Sequence, residues 1–174
     1  LIARGQIKTA IRAWFLERDF LEVDPSCLQS SPGNEAHIHA LSTDILDPDL
    51  SKRKLYLHTS PELSMKKLLA AGERKIFYLG PCFRNREQGA LNATEFTMLE
   101  WYRVDDSYEK LMEDASEILR LACTRTGQKF ISWQGRTAMP QDPIETLTVS
   151  EAFSRYAGIN LQITLPQGCE TGDR

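Results

Sequence analysis

An arginine, a glutamate and a tyrosine that could recognise a charged small molecule lie in one short stretch, residues 80–103. Arg84 ends an apolar run, and Glu100 and Tyr102 alternate with apolar residues further along. Guanidinium binds carboxylate or phosphate in a planar two-point contact, whereas a carboxylate receives an ammonium group. The alternation is typical of an antiparallel hairpin, on which Glu100 and Tyr102 would share one face.

Each of these side chains also has a structural interpretation. Arg84 could pair with a neighbouring acid, and Glu100 could form an ion pair between strands. The functional interpretation of Glu100 is that it receives an ammonium group, because burying an unpaired ammonium costs on the order of several kcal/mol and a paired one is tolerated. Tyr102 would add a hydrogen bond and a wall to such a pocket.

Periodicity predicts the elements that position these residues. Apolar residues recur at helical spacing over residues 3–17, and a short strand at 21–23 should follow. The run KLYLH, residues 54–58, is typical of a strand. Thr59, Ser60 and Pro61 favour the start of a helix that runs to about Ala71. A further strand is expected at 75–79, immediately before the hairpin.

The second half of the chain predicts two more helices. Asp105, Asp106 or Ser107 would cap a long helix that ends near Gly127. An apolar stripe on this helix is expected to pack in the core: Leu111, Ala115, Ile118, Leu119 and Ala122. A strand is expected at 130–133, and a capping box of Thr148 and Glu151 should open a helix through Tyr156. This order of elements predicts an α+β fold with an antiparallel sheet.

Composition indicates a globular protein with one domain. The 174 residues are 41% hydrophobic and 26% charged. The net charge of -3 indicates no overall basic surface for binding nucleic acid. Lys52, Arg53 and Lys54 are interpreted as a solvated turn, although they could form a local basic patch. The sequence contains no apolar run long enough for a membrane helix, so no membrane partner is expected.

The cysteines and histidines favour no metal site. No CxxC pair occurs among the four cysteines, which predicts reduced, structural thiols in a cytosolic protein. These are Cys27, Cys82, Cys123 and Cys169. His37 and His39, on a predicted strand near Glu35, have the spacing of some metal ligands, but no third nitrogen or thiolate ligand lies close in sequence.

The stretch GPCFRNREQGALNATEFTMLEWYR resembles motif 2 of the class II aminoacyl-tRNA synthetases, in the lysine-specific branch. The wording of TSPELSMKKLLAAG and FTMLEWYR is most similar to the paralogues that attach a lysine to elongation factor P (the GenX/PoxA type). The resemblance covers about residues 1–158. It implies a class II synthetase-like catalytic domain with motif 1 at about 3–28, a dimer-forming element, and motif 2 at about 80–104.

The resemblance implies that ATP activates lysine, in its β-isomer, as an aminoacyl adenylate, which then passes to a lysine side chain of elongation factor P. Arg84 would be the catalytic residue that bridges the substrate carboxylate and the α-phosphate. The implied substrate-binding residues are Ser60, Pro61, Glu62, Glu100 and Tyr102. The implied ATP-binding residues are Arg84, Asn85, Arg86, Glu87 and Asn92. Taken alone, Ser60 to Glu62 could simply cap a helix, with Glu62 matching the helix dipole.

The sequence departs from the family pattern at three places. Arg86 stands where many relatives carry a nucleotide-contacting acid, and Glu87 comes one step later. Either Glu87 reaches the adenine region through a shifted loop, or Arg86 contacts phosphate. LNATEF replaces the usual HNPEF, which displaces Asn92, and Pro25 lies one place early, which could remodel the end of the first strand.

The resemblance also implies what the 174 residues do not contain. Motif 3 and the acids that hold Mg²⁺ would lie beyond residue 174. No anticodon-binding domain is expected before residue 1. Alone, this chain is therefore expected not to form an adenylate. Two alternatives stay open: the catalytic part of a lysyl-tRNA synthetase that charges tRNA, and a non-catalytic synthetase-like binding module. For the ligase and for the lysyl-tRNA synthetase, the resemblance implies a cytoplasmic homodimer.

Overall fold

The computed structural model describes residues 1–165, which form helices and short antiparallel sheets. The helices are α1 (Ile2–Leu16), α2 (Glu62–Ala70), α3 (Tyr108–Thr126) and α4 (Val149–Ala157), followed by a 3₁₀ turn at Leu161–Thr164. The strands are β1 (Leu21–Glu22), β2 (Leu28–Gln29), β3 (Ser42–Leu46), β4 (Lys52–Leu57), β5 (Lys75–Phe83), β6 (Glu95–Arg103), β7 (Ile131–Trp133) and β8 (Arg136–Ala138). None of the helices in this range is long and apolar enough to cross a membrane.

The central sheet has the strand order β1-β5-β6. β5 and β6 form the predicted antiparallel hairpin, whose register runs from Lys75 opposite Arg103 to Phe83 opposite Glu95. β1 pairs with β5 in parallel, and the Val23 N–H continues that ladder by donating to the Phe77 carbonyl at 2.9 Å. The predicted α+β class and hairpin are confirmed, with one parallel pair at the edge.

The two faces of this sheet pack against different helices. One face meets α1 and α3 through an aromatic core, in which the Phe15 ring stacks on Phe77 with centroids 4.6 Å apart. The other face meets α2 through a second cluster that includes the fully buried Met65 and Ile76. Because side chains alternate along β6, Glu100 and Tyr102 lie on the α2 face. The candidate site therefore belongs to α2 and the hairpin.

α1 is a helix because it buries one side, not because it is capped. Its N-cap residue, Leu1, makes no side-chain cap hydrogen bond. Its buried residues are Ala10, Ile11, Trp14 and Phe15. These positions repeat at three and four residues, as the periodicity predicted. Burying a residue the size of Phe15 completely contributes about 1.5–3 kcal/mol.

A second sheet, β2-β4-β3, lies beside the first and was only partly predicted. The interpretation of Lys52, Arg53 and Lys54 as a turn is wrong, because their backbones pair with β3 while their side chains stay exposed. Lys54 lies opposite Asp44, and opposite charges across a strand pair are favourable. The predicted strand at His37 is also wrong: His37 lies in a turn, and His39 forms an isolated bridge with Asn85.

The face with which α3 packs on α1 overlaps the predicted apolar stripe only in part. Leu111 and Leu119 are 37% and 44% exposed, whereas Ile118 and its neighbour Leu121 pack against the aromatic core. The buried carboxylate of Asp114 accepts bonds from the Arg103 guanidinium, at 2.7 Å from Nε. This buried ion pair fixes the rotation of the helix, so two of the predicted core leucines face outward.

The end of the described chain is locally well specified but little buried. Thr148 and Glu151 form both halves of the predicted capping box, and the left-handed Gly158 ends α4. No residue of α4 is buried, and the β7–β8 hairpin is exposed throughout. Cys169 lies outside the described residues.

Candidate functional site

Glu100 is a half-buried carboxylate whose two oxygens both accept hydrogen bonds from hydroxyl groups. Ser60 Oγ donates to Oε2 at 2.9 Å, and the Tyr102 hydroxyl donates to Oε1 at 2.6 Å. Both partners are neutral, and within residues 1–165 no arginine or lysine forms an ion pair with Glu100. The carboxylate is therefore oriented by the protein while its charge stays available for a cation.

Tyr102 is held as a hydrogen-bond donor by its surroundings. Burial raises its pKa well above the ordinary value, and the hydrogen bond to Glu100 raises it further. A phenol in this state keeps its proton over the whole physiological range, so it can only stabilise the ionised form of Glu100. The pair thus supplies a fixed negative group and a shaped wall on the α2 face of β6.

The segment before α2 links this carboxylate to a second one. Ser60 Oγ donates to Glu100 and also accepts the backbone N–H of Glu62 at 3.1 Å. Pro61 is fully buried at the helix start, which fixes the backbone where Glu62 begins the first turn. The structure therefore brings together all five residues that the resemblance assigned to the substrate pocket.

Arg84 directly follows β5 and is half-buried on the same side of the hairpin. Its Nε donates to the Thr59 carbonyl at 3.2 Å, and its guanidinium carbon lies 5.3 Å from the centroid of the Phe96 ring. These contacts fix one edge and one face of the guanidinium. Its two terminal nitrogens stay available for an anion, which suits the predicted bridging role.

A cleft of about 260 Å³ adjoins Arg84. It is lined by Arg84, Glu87, Leu91, Asn92, Ala93 and Phe96. Asn85 and Arg86 do not line it: the Asn85 side chain accepts the Arg86 N–H at 2.9 Å, and the exposed Arg86 has a left-handed backbone with φ 63°. The geometry thus gathers Arg84, Glu87 and Asn92 around one cavity and leaves Asn85 and Arg86 in the turn that shapes it.

The Cys82 thiol is fully buried in the cluster on the α2 face of the sheet. Burial, together with the charge of Glu100, raises its pKa to about 12, and the charge of Arg84 opposes the rise. The raised pKa also means that Cys82 is a packing residue and not a nucleophile.

Three groups at the site were not predicted from the sequence. The Thr59 carbonyl positions Arg84, and Phe96, expected only to pack or form a wall, supports its guanidinium. His58 is 1% exposed; its Nε2 donates to the Pro81 carbonyl at 2.8 Å, and its Nδ1 has no partner within residues 1–165. No sequence signal identifies them, because a backbone carbonyl or a buried ring acquires its role through tertiary contacts.

A larger cleft lies elsewhere in the described part of the molecule. It has a volume of about 740 Å³ and lies between α3 and residues 144–147, and none of the predicted site residues lines it. Over the described range, no group of three or more histidine, cysteine, aspartate or glutamate side chains could hold a metal ion. His37, His39 and Glu35 form no such group.

The antiparallel hairpin and its flanking helices are consistent with a synthetase-type domain. The family described as tRNA synthetases class II (D, K and N) matches residues 1–169. The chain belongs to this family.

Similar proteins carry one common name, elongation factor P–(R)-β-lysine ligase. The Hamiltonella defensa protein is 34% identical over 164 residues, 94% of this chain and 50% of the relative. The Vibrio cholerae protein is 40% identical over 157 residues, 90% and 44% respectively. The Vibrio campbellii protein is 40% identical over 119 residues, 68% and 37%. The chain spans half or less of the length of these relatives.

Proposed function

We propose that the protein containing this chain uses ATP to activate a lysine as an aminoacyl adenylate and transfers it to a lysine side chain of elongation factor P. The observation that carries this proposal is Glu100, a carboxylate with two hydroxyl donors and, within the described residues, no protein cation. Such a group binds an ammonium and rejects a neutral side chain, because an uncharged methylene end would leave the carboxylate desolvated and unpaired.

Arg84 would hold the reacting groups. The substrate carboxylate oxygen attacks the α-phosphorus of ATP, the bond to the leaving phosphate breaks, and pyrophosphate departs. Two anions must be kept together against their repulsion, and the terminal nitrogens of a guanidinium fixed by Thr59 and Phe96 suit that task. The acceptor amine then attacks the activated carbonyl, and AMP leaves.

The nucleotide would occupy the cleft beside Arg84. Its polar and aromatic lining fits this ligand: Glu87 and Asn92 offer hydrogen-bond partners to a base, and Phe96 offers an apolar surface. A phosphate role for Arg86 has less support, because this residue does not line the cleft. The described residues contain no group of three or more histidine, cysteine or acidic side chains that could hold a metal ion, so we assign no Mg²⁺ ligand among them.

The relatives' name suggests the finer specificity. Since proteins 34–40% identical to this chain are named (R)-β-lysine ligases for elongation factor P, β-lysine is the proposed isomer and elongation factor P the proposed acceptor. We also propose a cytoplasmic homodimer formed through residues 3–28. The division into motif 1, motif 2 and a later motif 3 belongs to the same proposal.

Pyrophosphate exchange with the complete protein tests the proposal. Labelled pyrophosphate should enter ATP when (R)-β-lysine is present and much less when L-lysine is supplied. When elongation factor P is added, the mass of elongation factor P should rise by one lysyl residue. Norleucine has the carbon chain of lysine but no side-chain ammonium. It is therefore the control for the role of Glu100 and should give no exchange.

The alternatives give different results in the same assay. Preference for L-lysine together with charging of tRNA would identify a lysyl-tRNA synthetase. Binding of a lysine without any exchange would identify a non-catalytic module. Either result would replace the ligase proposal.

A further inference from the structure

Lys66 places an ammonium group of the protein itself beside the acidic pocket. Its Nζ donates to Glu62 Oε1 at 2.6 Å, one turn along α2. Glu62 is joined to Glu100 through Ser60, whose Oγ bonds to the backbone of the first and the carboxylate of the second. An amine is therefore already bound at Glu62, one of the two carboxylates among the implied substrate-binding residues.

Lys66 also interacts with the second carboxylate. The hydrogen bond and charge of Glu62 raise its pKa, and Glu100 adds to the rise through its charge. Lys67, the next residue, is also exposed but has no ion pair in the part of the chain that the structure describes, so it serves for comparison.

The geometry points to Lys66 as a resident counter-ion that the amino group of the substrate displaces from Glu62. This inference rests on the proposed function, because it assumes that a diamino acid binds here. Without Lys66, the two carboxylates of Glu62 and Glu100 would leave two negative charges in the empty site. With Lys66, the three groups together carry one net negative charge. When Lys66 moves away, two carboxylates are free for the two ammonium groups of a lysine or β-lysine.

The exchange is easy because the pair is a weak one. The side chains of Lys66 and Glu62 are 56% and 39% exposed, and exposed ion pairs of this kind contribute little and are screened by salt. Lysine also has a flexible stem that can turn its ammonium into water. Lys66 should thus set how tightly the substrate binds, and should not affect how fast the bound substrate reacts.

Binding of L-lysine and of (R)-β-lysine to the complete protein, measured by calorimetry at low and high salt, tests this role. Lys66→Met keeps the length and helix preference of the side chain but removes the competing ammonium, so it should lower the Kd on the order of 2- to 5-fold at low salt. Lys66→Arg keeps the charge and should bind like the unaltered protein. Lys67→Met, which removes a neighbouring charge outside the pocket, is the matched control and should also leave the Kd unchanged.

Kinetics provide a second readout that a structural role would not reproduce. Lys66→Met should lower the KM for the amino acid and leave kcat within about 2-fold. An unchanged or higher Kd for Lys66→Met, with the unaltered protein binding normally, would overturn the inference alone. If neither protein binds either amino acid, the proposed function fails and takes this inference with it. Binding by Lys66→Met but not by the unaltered protein would support displacement strongly.

Discussion

The two short helices α2 and α4 have the same length but are stabilised in different ways, one by burial and the other by capping. Each has nine residues, but the N-cap residue of α2, Pro61, makes no side-chain cap bond and the helix completely buries Met65, whereas α4 has both halves of a capping box and buries no residue. The difference shows that local signals can specify a helix without anchoring it. The anchored helix, α2, is the one whose first turn lies beside Glu100, to which Ser60 links it by hydrogen bonds.

Truncating the anchor of α2 should give the largest effect. Met65→Ala removes a side chain from the cluster beneath the site and should lower the free energy of unfolding by about 2–5 kcal/mol. The matched change in α4, Phe153→Ala, removes a larger side chain that is 41% exposed and should cost below about 1 kcal/mol. Urea unfolding monitored by circular dichroism measures both.

Similar costs for the two substitutions would contradict the comparison. A large effect of Phe153→Ala would mean that α4 is anchored in the complete protein by contacts outside residues 1–165. A small effect of Met65→Ala would mean that the cluster beneath α2 repacks.

Next in size is the loss of Arg84, the arginine that the Thr59 carbonyl and the Phe96 ring fix. Arg84→Ala should raise the barrier to adenylate formation by about 2–4 kcal/mol, since one preorganised charged donor is lost. Arg84→Lys keeps the charge but loses the planar fork and should recover only part of the rate. Pyrophosphate exchange by the complete protein provides the measurement; a normal rate for Arg84→Ala would place the reacting groups elsewhere.

Glu100→Gln should act mainly on binding. Removing the charge leaves the substrate ammonium without a charged partner, so KM for the amino acid should rise by the equivalent of about 1–3 kcal/mol while kcat changes less. Tyr102→Phe removes one of the two hydrogen bonds to that carboxylate and should give a smaller rise. If kcat falls and KM is constant, Glu100 does not bind the substrate in its ground state.

The smallest effect is expected for the cap of α4. Thr148→Ala should cost about 1 kcal/mol of helix stability and lower the helical ¹³Cα shifts of residues 149–152. The Thr148 backbone N–H and hydroxyl both donate to the Glu151 carboxylate and lower its pKa. That contribution is present above the ordinary pKa of glutamate and is lost as pH falls through the lowered one, so the variant and the unaltered protein should differ less in acid. An equal difference at pH 7 and pH 3 would exclude a role for the Glu151 charge.

The sequence predicted the elements whose signals are local or periodic. The β5–β6 hairpin, α1, the capping box and the αL ends at Gly127 and Gly158 follow from alternation, helical spacing and residue type. The prediction that Ser60, Pro61, Glu62, Glu100 and Tyr102 meet came from the resemblance to a family; spacing in sequence could not bring residues 40 positions apart together.

What the sequence did not predict depends on tertiary pairing. β3 and β4 are polar and alternate weakly, so Lys52–Lys54 looked like a turn until β3 supplied a partner. Leu111 and Leu119 satisfied helical spacing, but the buried Arg103–Asp114 pair decides which side of α3 faces inward. The Asn85–Arg86 turn follows its own hydrogen bond and not the family pattern, which explains why only part of the predicted ATP-binding set lines the cleft.

The register of the hairpin also limits how this protein can vary in evolution. Tyr78 lies opposite Glu100 on a ladder that continues without a bulge for nine residue pairs. An insertion or deletion of one residue inside β6 would turn Glu100 to the aromatic core and bring Leu99 or Trp101 into the pocket. Length differences among related sequences should therefore be confined to the connection at residues 85–93, where an added residue alters the cleft but leaves the pocket intact.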